Sequence, residues 1–347
     1  MSHNSSVTLR VAQCDTDLNV TVNCTRLALD AWDAHRDGHK LWFLVTMFAC
    51  LVGAGCHLML FCVIFMINHH RRGSGRLILH LVCIELLVCI FFGPAYCVIT
   101  MTTRYHMTTD TFCTYELFVY MAMLYTGHWA MFLLAFNRFV ALVFPRNYAR
   151  FSSGLAFCWM TGTAWVVGIG ASLPFVAGWG GYYGVTPVWG NCGLTHATVA
   201  GREFFGLIQI ATVYLPAGLL TLLYITILVK HKCPWLHIGV DINNARPDGA
   251  PDEIRRFNGR VALAKILCAS SIWHCLCHFP GAIITSTTLV DIYVRSPLLQ
   301  LWLYTMFLCG YALNPAFFFL MSREYRRETL ALSLSPSRIT LLMSRTL

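Results

Sequence analysis

Ionisable side chains lie inside long apolar stretches of this sequence, where a charge or a labile proton is costly. Glu85 is the one carboxylate between residues 77 and 101, and Arg138 is the one charge between residues 117 and 143. Five histidines lie in similar stretches: His57, His80, His128, His274 and His278. A carboxylate and neutral imidazoles inside a membrane can pass protons, so Glu85, His128 and His278 form a candidate relay.

A structural role is the alternative for these histidines. In a packed helix bundle, a neutral histidine bonded to a neighbouring carbonyl is more common than a metal ligand or a proton sensor. We expect the five histidines to lie on different helices and faces, so the sequence predicts no metal site and no cofactor. It also shows no nucleophile or phosphate-loop pattern, so we do not expect an enzyme.

The composition predicts an integral membrane protein, because 57% of the residues are hydrophobic and only 12% are charged. A helix needs about 20 apolar residues to cross a bilayer. Seven stretches meet this requirement: 41–66, 77–101, 117–143, 156–177, 204–229, 261–289 and 297–321. The predicted fold class is therefore an all-α membrane protein, a seven-transmembrane helix bundle.

The basic residues predict the topology, since lysine and arginine resist translocation. Most of the 25 lysines and arginines flank the same ends of the spans as Arg138, which predicts that these ends are cytoplasmic and the N-terminus is outside. Residues 1–40 then form an extracellular tail, 41–321 the transmembrane domain and 322–347 a cytoplasmic tail. Residues 230–260 are expected to form an irregular loop because they are rich in proline and turn formers.

Both tails carry recognisable features. The N-terminal tail has N-glycosylation sequons at Asn4, Asn19 and Asn23, and a possible bridge between Cys14 and Cys24. Residues 322–330 contain apolar and basic side chains that fit a short amphipathic eighth helix on the inner leaflet.

Several residues occur in the spans and the order of one known family. They are Cys113, Arg138, Trp165, Pro174, Cys192, Pro216, Tyr224, Pro280, Asn314 and Pro315. Between residues 41 and 334 the sequence resembles rhodopsin-like (class A) G-protein-coupled receptors. The triplet Asn137-Arg138-Phe139 is similar to that of melatonin receptors and of the trapped-in-endoderm group of invertebrate orphan receptors.

The resemblance implies a plasma-membrane receptor that passes an extracellular signal to a heterotrimeric G protein, with no nucleic-acid partner. It implies a disulfide between Cys113 and Cys192. It places coupling and activation at Asn137, Arg138, Phe139, Tyr224, Arg260, Asn314, Pro315 and Phe318. It places ligand binding at Tyr120, Met121, Leu124, His278, Gly281, Gln300 and Tyr304. Tyr120 stands where amine receptors have aspartate, so we expect a lipid, a fatty acid or an apolar peptide end rather than a monoamine.

Departures from the family pattern concern activation. Asn137 replaces the acidic residue before the arginine and Arg260 occupies the usual acidic place in the sixth helix, which removes the inner ionic lock and predicts basal activity. His278 replaces a tryptophan and Phe318 a tyrosine, which predicts impaired switching. Glu85 replaces the aspartate of the family's sodium site, and we expect it to bond Asn314 or His128 instead of a cation.

The sequence is compatible with two other functions. One is a non-signalling receptor that binds a ligand or modulates a partner receptor. The other is a seven-helix transporter or proton-relay protein. The second is disfavoured by the absence of an internal repeat of spans and of a lysine in the seventh stretch that could carry retinal.

Overall fold

Among the described residues of the protein, seven helices are long and apolar enough to cross a membrane. The computed structural model describes residues 36–66, 73–102, 109–144, 148–185, 192–195, 198–232, 250–286 and 296–334. The seven segments are called spans 1 to 7 in chain order: Arg36–Met66, Gly75–Thr102, Asp110–Val143, Gly154–Val176, Ala200–Ile227, Val261–Ile284 and Leu298–Met321. The predicted fold class is confirmed, and each predicted stretch overlaps one span.

The remaining elements are short. A single turn of helix, Tyr148–Phe151, precedes span 4, and the helix Arg323–Leu334 follows span 7 as the predicted eighth helix. Strands β1 (Tyr182–Val185) and β2 (Cys192–Thr195) form an antiparallel hairpin between spans 4 and 5. The sequence did not predict this hairpin.

The sixth helix is longer than the sequence predicted. It runs Ala250–Ser286, so the last third of the expected loop 230–260 is helical, and so are residues 230–232 at its start. The sequence from residue 250 reads Ala-Pro-Asp-Glu, and a proline in the first turn followed by acidic residues is a typical helix start. The earlier part of that predicted loop, 233–249, lies outside the described residues.

Span 3 is the central element of the bundle. Two thirds of its most apolar window is buried, against 22% for span 4. It packs against spans 2, 4, 5 and 6, whereas span 1 packs against spans 2 and 7. Spans 3 and 4 approach closely at Gly168, where a Cβ atom would collide with the Ala122 carbonyl and the Thr126 side chain. Such small residues let helix backbones approach in membranes.

Five spans contain an internal proline, and in three of them the α-helix is interrupted beside it. In spans 2 and 5, π-helical turns at Val88–Phe92 and Ile210–Tyr214 end just before Pro94 and Pro216. In span 7 the helix Pro297–Ala312 stops and the helix Asn314–Met321 begins, with Pro315 in its first turn. Because proline has no N–H, each site leaves backbone groups that other partners must satisfy.

Candidate functional site

The hairpin covers the end of the bundle that carries Cys113, here called the Cys113 end. A disulfide joins Cys113 to Cys192 of β2, as the resemblance implied. Span 3 also holds β1, because the Thr114 hydroxyl donates to the Tyr183 carbonyl at 2.7 Å and the Val185 N–H donates to the Asp110 carboxylate at 2.9 Å. The hairpin is therefore fixed to span 3 through both strands.

An aromatic cluster lies in the Cys113 half of the bundle and consists of Phe92, Tyr96, Tyr120 and Tyr304. The rings of Tyr96 and Tyr304 stack with centroids 3.8 Å apart, and Tyr120 lies 6.0 Å from Tyr304 and 6.1 Å from Phe92. Spans 2, 3 and 7 all contribute. The cluster is apolar apart from its phenol hydroxyls, which suits an apolar or aromatic ligand group.

The predicted ligand residues divide into two groups. Tyr120, Met121, Leu124 and Tyr304 lie in one core cluster with Tyr96 and Phe92, and Gln300 is half-buried one helical turn before Tyr304. Gly281 instead faces Phe307 of span 7, where a Cβ atom would collide with the ring. The ring of Phe307 lies 4.9 Å from that of His278, so these residues form a separate layer.

Glu116 has a carboxylate near the aromatic cluster, and the sequence did not predict a role for it. One of its oxygens is buried without a hydrogen-bond partner among the described residues. The carboxylate lies close enough to Tyr304 for an electrostatic interaction. It also lines a crevice of about 510 Å³ with Phe92, Thr109, Thr111, Phe112, Tyr115 and Val119. Phe112, Tyr115 and Val119 are exposed on the outside of the bundle, so this crevice opens sideways.

A buried polar chain joins spans 1, 2, 6 and 7 near the middle of the bundle. The Ser270 hydroxyl donates to the Asn314 side-chain oxygen, and the Asn314 amide donates to a Glu85 oxygen. The other Glu85 oxygen lies 3.8 Å from Nε2 of His57. All four side chains are buried, and the expected bond between Glu85 and Asn314 is present.

His57 has a structural role that the sequence did not predict. Its Nε2 lies 3.0 Å from the Tyr311 carbonyl, which can only accept, so His57 donates. Pro315 follows Tyr311 by four residues and cannot supply the helical N–H to that carbonyl. A side chain of span 1 therefore satisfies a backbone group of span 7 that the proline exposes.

Three of the five histidines come together, contrary to the expectation that they lie on different helices and faces. One ring nitrogen from each of His128, His274 and His278 lies within 4.8 Å of the others, and all three residues are buried. His128 therefore lies with His274 and His278, and the partners described for Glu85 are Asn314 and His57. The i, i+4 spacing of His274 and His278 is the signal that predicts their shared face.

His80 forms a structural hydrogen bond between two spans. The Trp165 indole N–H donates to Nε2 of His80 at 3.0 Å, which joins span 4 to span 2.

The opposite end of the bundle, here called the Arg138 end, is closed around a buried arginine. Arg138 is 3% exposed and lies close enough to Tyr224 of span 5 for an electrostatic interaction. Its neighbour Asn137 donates to the Phe151 carbonyl at 3.1 Å. Phe318 packs against Tyr325 of the final helix, with ring centroids 5.6 Å apart. Residue 260 is helical, but its side chain lies outside the described part.

Comparison with known proteins identifies the family. The family described as "7 transmembrane receptor (rhodopsin family)" matches residues 57–317, three quarters of the chain. The chain belongs to the rhodopsin family of seven-transmembrane receptors. The receptor's fold is similar to that of squid rhodopsin, with a TM-score of 0.72 at 12% sequence identity over 87% of each chain. No curated protein matches the sequence.

Two departures from the pattern of this family lie in the buried part of the bundle. His278 and His274 form a histidine layer in span 6 with His128, in place of the expected tryptophan at residue 278. Glu85 is held by protein side chains in the place of the family's aspartate. Family and fold are of the receptor type rather than of an enzyme.

Proposed function

We propose that this receptor binds a non-aminergic ligand at the Cys113 end and activates a heterotrimeric G protein at the Arg138 end. The observation that carries the proposal is the aromatic cluster of Phe92, Tyr96, Tyr120 and Tyr304, placed below a hairpin that a disulfide ties to span 3. A ligand at this cluster touches spans 2, 3 and 7 together. It can therefore favour one arrangement of the spans over another.

The ligand class follows from the chemistry of the cluster. Aromatic rings and aliphatic side chains favour a lipid, a fatty acid or an apolar peptide end. The carboxylate of Glu116 lies near the cluster, so its substitution distinguishes an apolar ligand from a monoamine. Alanine at Tyr304 is expected to abolish a response to such a ligand, whereas glutamine at Glu116 is expected to preserve it. A monoamine response that disappears in Glu116→Gln contradicts the non-aminergic proposal.

The coupling surface is proposed at the Arg138 end, through spans 3, 5 and 6. Arg138 and Tyr224 come from two of these spans and lie close together in the closed arrangement. Outward movement of span 6 would uncover Arg138 for a partner. Asn137 and Phe139 flank Arg138, and Phe318 packs at the same end. Asn314 and Pro315 are proposed to act from the middle of the bundle, where span 7 is interrupted. The role proposed for Arg260 is a like charge that opposes closure.

Basal activity is expected because Asn137 stands where the family has the acidic residue that precedes the arginine. Asn137→Asp supplies that carboxylate and should lower ligand-free nucleotide exchange on the G protein. The substitution also removes the amide that donates to Phe151. Asn137→Ala is the matched control, because it loses the same hydrogen bond without adding a charge. If both variants change ligand-free nucleotide exchange equally, the effect comes from the lost hydrogen bond to Phe151 and not from a new charge beside Arg138.

The orientation in the plasma membrane is proposed from the basic residues, with the N-terminus outside and the Arg138 end in the cytoplasm. The final helix, Arg323–Leu334, is proposed to lie on the inner leaflet. The division into a tail of residues 1–40, a membrane domain of 41–321 and a tail of 322–347 is proposed on the same basis. Asn4, Asn19, Asn23 and the pair Cys14 and Cys24 lie outside the described residues.

A non-signalling receptor is the second candidate, favoured by the loss of the tryptophan at residue 278 and of the tyrosine at residue 318. Nucleotide exchange separates the two functions. A receptor that binds a lipid at the aromatic cluster, but drives no exchange in any G-protein class with or without it, belongs to the second candidate.

A further inference from the structure

Ring nitrogens of the histidine layer are buried and have few hydrogen-bond partners among the described residues. Nε2 of His128 and Nε2 of His278 have none, and the His274 ring has only a backbone contact to Gly310. Polar atoms buried in a helix bundle are normally bonded, so a cluster of this kind requires an explanation. The rings touch each other: His274 and His278 stack with centroids 3.8 Å apart, and His128 lies 5.0 and 5.1 Å from them.

We propose that His128, His274 and His278 form a Zn²⁺ site that links span 3 to span 6. Imidazole nitrogens suit zinc and related transition metals, whereas Ca²⁺ and Mg²⁺ require oxygen ligands. Two histidines at i and i+4 on one helix face are a common zinc-binding pair. His274 and His278 have this spacing, and His128 supplies a third nitrogen from the facing helix. The fourth position of a tetrahedral zinc site is then open to water or to a ligand group.

The protonation of His128 fits a metal ligand. Its Nδ1 lies 2.8 Å from the Leu124 carbonyl, which can only accept, so Nδ1 carries the proton and donates it. The Nε2 of a neutral ring then carries a lone pair. A zinc-binding histidine typically donates its other N–H to a carbonyl in this manner, which fixes the tautomer and the ring orientation.

The distances require a modest local contraction. The three ligand nitrogens lie within 4.8 Å of one another. In a tetrahedral site with Zn–N bonds of about 2.0–2.1 Å they would lie roughly 3.3 Å apart. Rotation of the stacked rings of His274 and His278 about their side-chain bonds brings their nitrogens toward a shared ion. Gly310 leaves space for the His278 ring, because a Cβ atom at residue 310 would lie only 3.1 Å from Nε2 of His278.

The test measures metal content rather than signalling. The full-length receptor is produced in cells supplied with zinc, reconstituted in nanodiscs and assayed for bound metal by mass spectrometry. The expected result is one zinc per receptor and a higher thermal unfolding midpoint, because the ion cross-links two spans. Glutamine at His128, His274 or His278 should each lower zinc affinity by about tenfold or more. His80→Gln is the matched control, because His80 is half-buried and bonded to Trp165 outside the cluster.

A cysteine variant keeps the test valid if a glutamine variant fails to fold. His278→Cys replaces one ligand by another and should retain the metal, and Co²⁺ bound to it should show thiolate charge-transfer absorption that the wild type lacks. The proposal is overturned if the wild type holds no more zinc than the triple glutamine variant. It is equally overturned if His80→Gln loses as much zinc as His128→Gln, or if Co²⁺ in His278→Cys shows no thiolate absorption.

Discussion

Asn314→Ala should destabilise the receptor by removing the central member of the buried polar chain. The wild-type side chain accepts from Ser270 and donates to Glu85, and all three residues are at most 3% exposed. Alanine leaves two buried polar groups without these partners. An unsatisfied buried group costs about 1–3 kcal/mol in soluble proteins, whereas hydrogen bonds between membrane helices average about 0.6 kcal/mol. For two groups these figures bracket the loss in the free energy of unfolding between about 1 and 6 kcal/mol, and we expect a value near the middle, about 2–4 kcal/mol.

Two variants in the same chain make this reasoning refutable. Ser270→Ala removes one of the two bonds, so it should cost about half as much as Asn314→Ala. Glu85→Gln keeps a side-chain oxygen that can accept from Asn314, so it should cost less than about 1 kcal/mol. The assay is reversible unfolding in mixed lipid and SDS micelles. A cost for Glu85→Gln equal to that of Asn314→Ala would contradict the reasoning, because it would mean that the carboxylate itself, rather than the hydrogen-bond pattern, stabilises the chain.

Three further predictions concern other parts of the molecule. Cys113→Ala should reduce delivery to the cell surface, measured by flow cytometry, because loss of a native disulfide typically costs about 2–5 kcal/mol; normal delivery would contradict this. Gly168→Val should lower the thermal unfolding midpoint, because its side chain would meet Ala122 and Thr126, whereas Gly170→Val has no neighbour within 4 Å of the new Cβ and should behave as wild type. Replacing sodium by N-methylglucamine should leave the unfolding midpoint unchanged, because Glu85 is bonded to Asn314, and a sodium-dependent increase lost in Glu85→Gln would restore the family's ion site.

The sequence predicted the fold well because a membrane limits the choices. Backbone groups inside a bilayer must be bonded within the protein, which allows helices and closed barrels, and an apolar stretch as long as 117–143 fits a helix rather than a barrel strand. The cysteine pair was predictable by resemblance. The hairpin between spans 4 and 5 was not, because its short strands include two glycines, Gly184 and Gly193, and it is held mainly by bonds to span 3.

Contacts between spans were the least predictable part of the site. Helix rotation decides which neighbour a buried side chain meets, and the apolar residues on all faces of these spans give little periodicity from which to read it. His128 was therefore a reasonable partner for Glu85 from sequence, yet it faces His274 and His278, and His57 lies beside Glu85. The spacing of His274 and His278 and the position of Pro315 four residues after Tyr311 were the usable signals.

Nucleotide exchange on purified G proteins, with the receptor in nanodiscs, tests the proposed function most directly. The wild type, without ligand, should accelerate exchange in at least one G-protein class, and Arg138→Ala should remove that acceleration while the purified receptor keeps its unfolding midpoint. If the wild type accelerates exchange in no class, or if Arg138→Ala is as active as the wild type, coupling through the Arg138 end is contradicted.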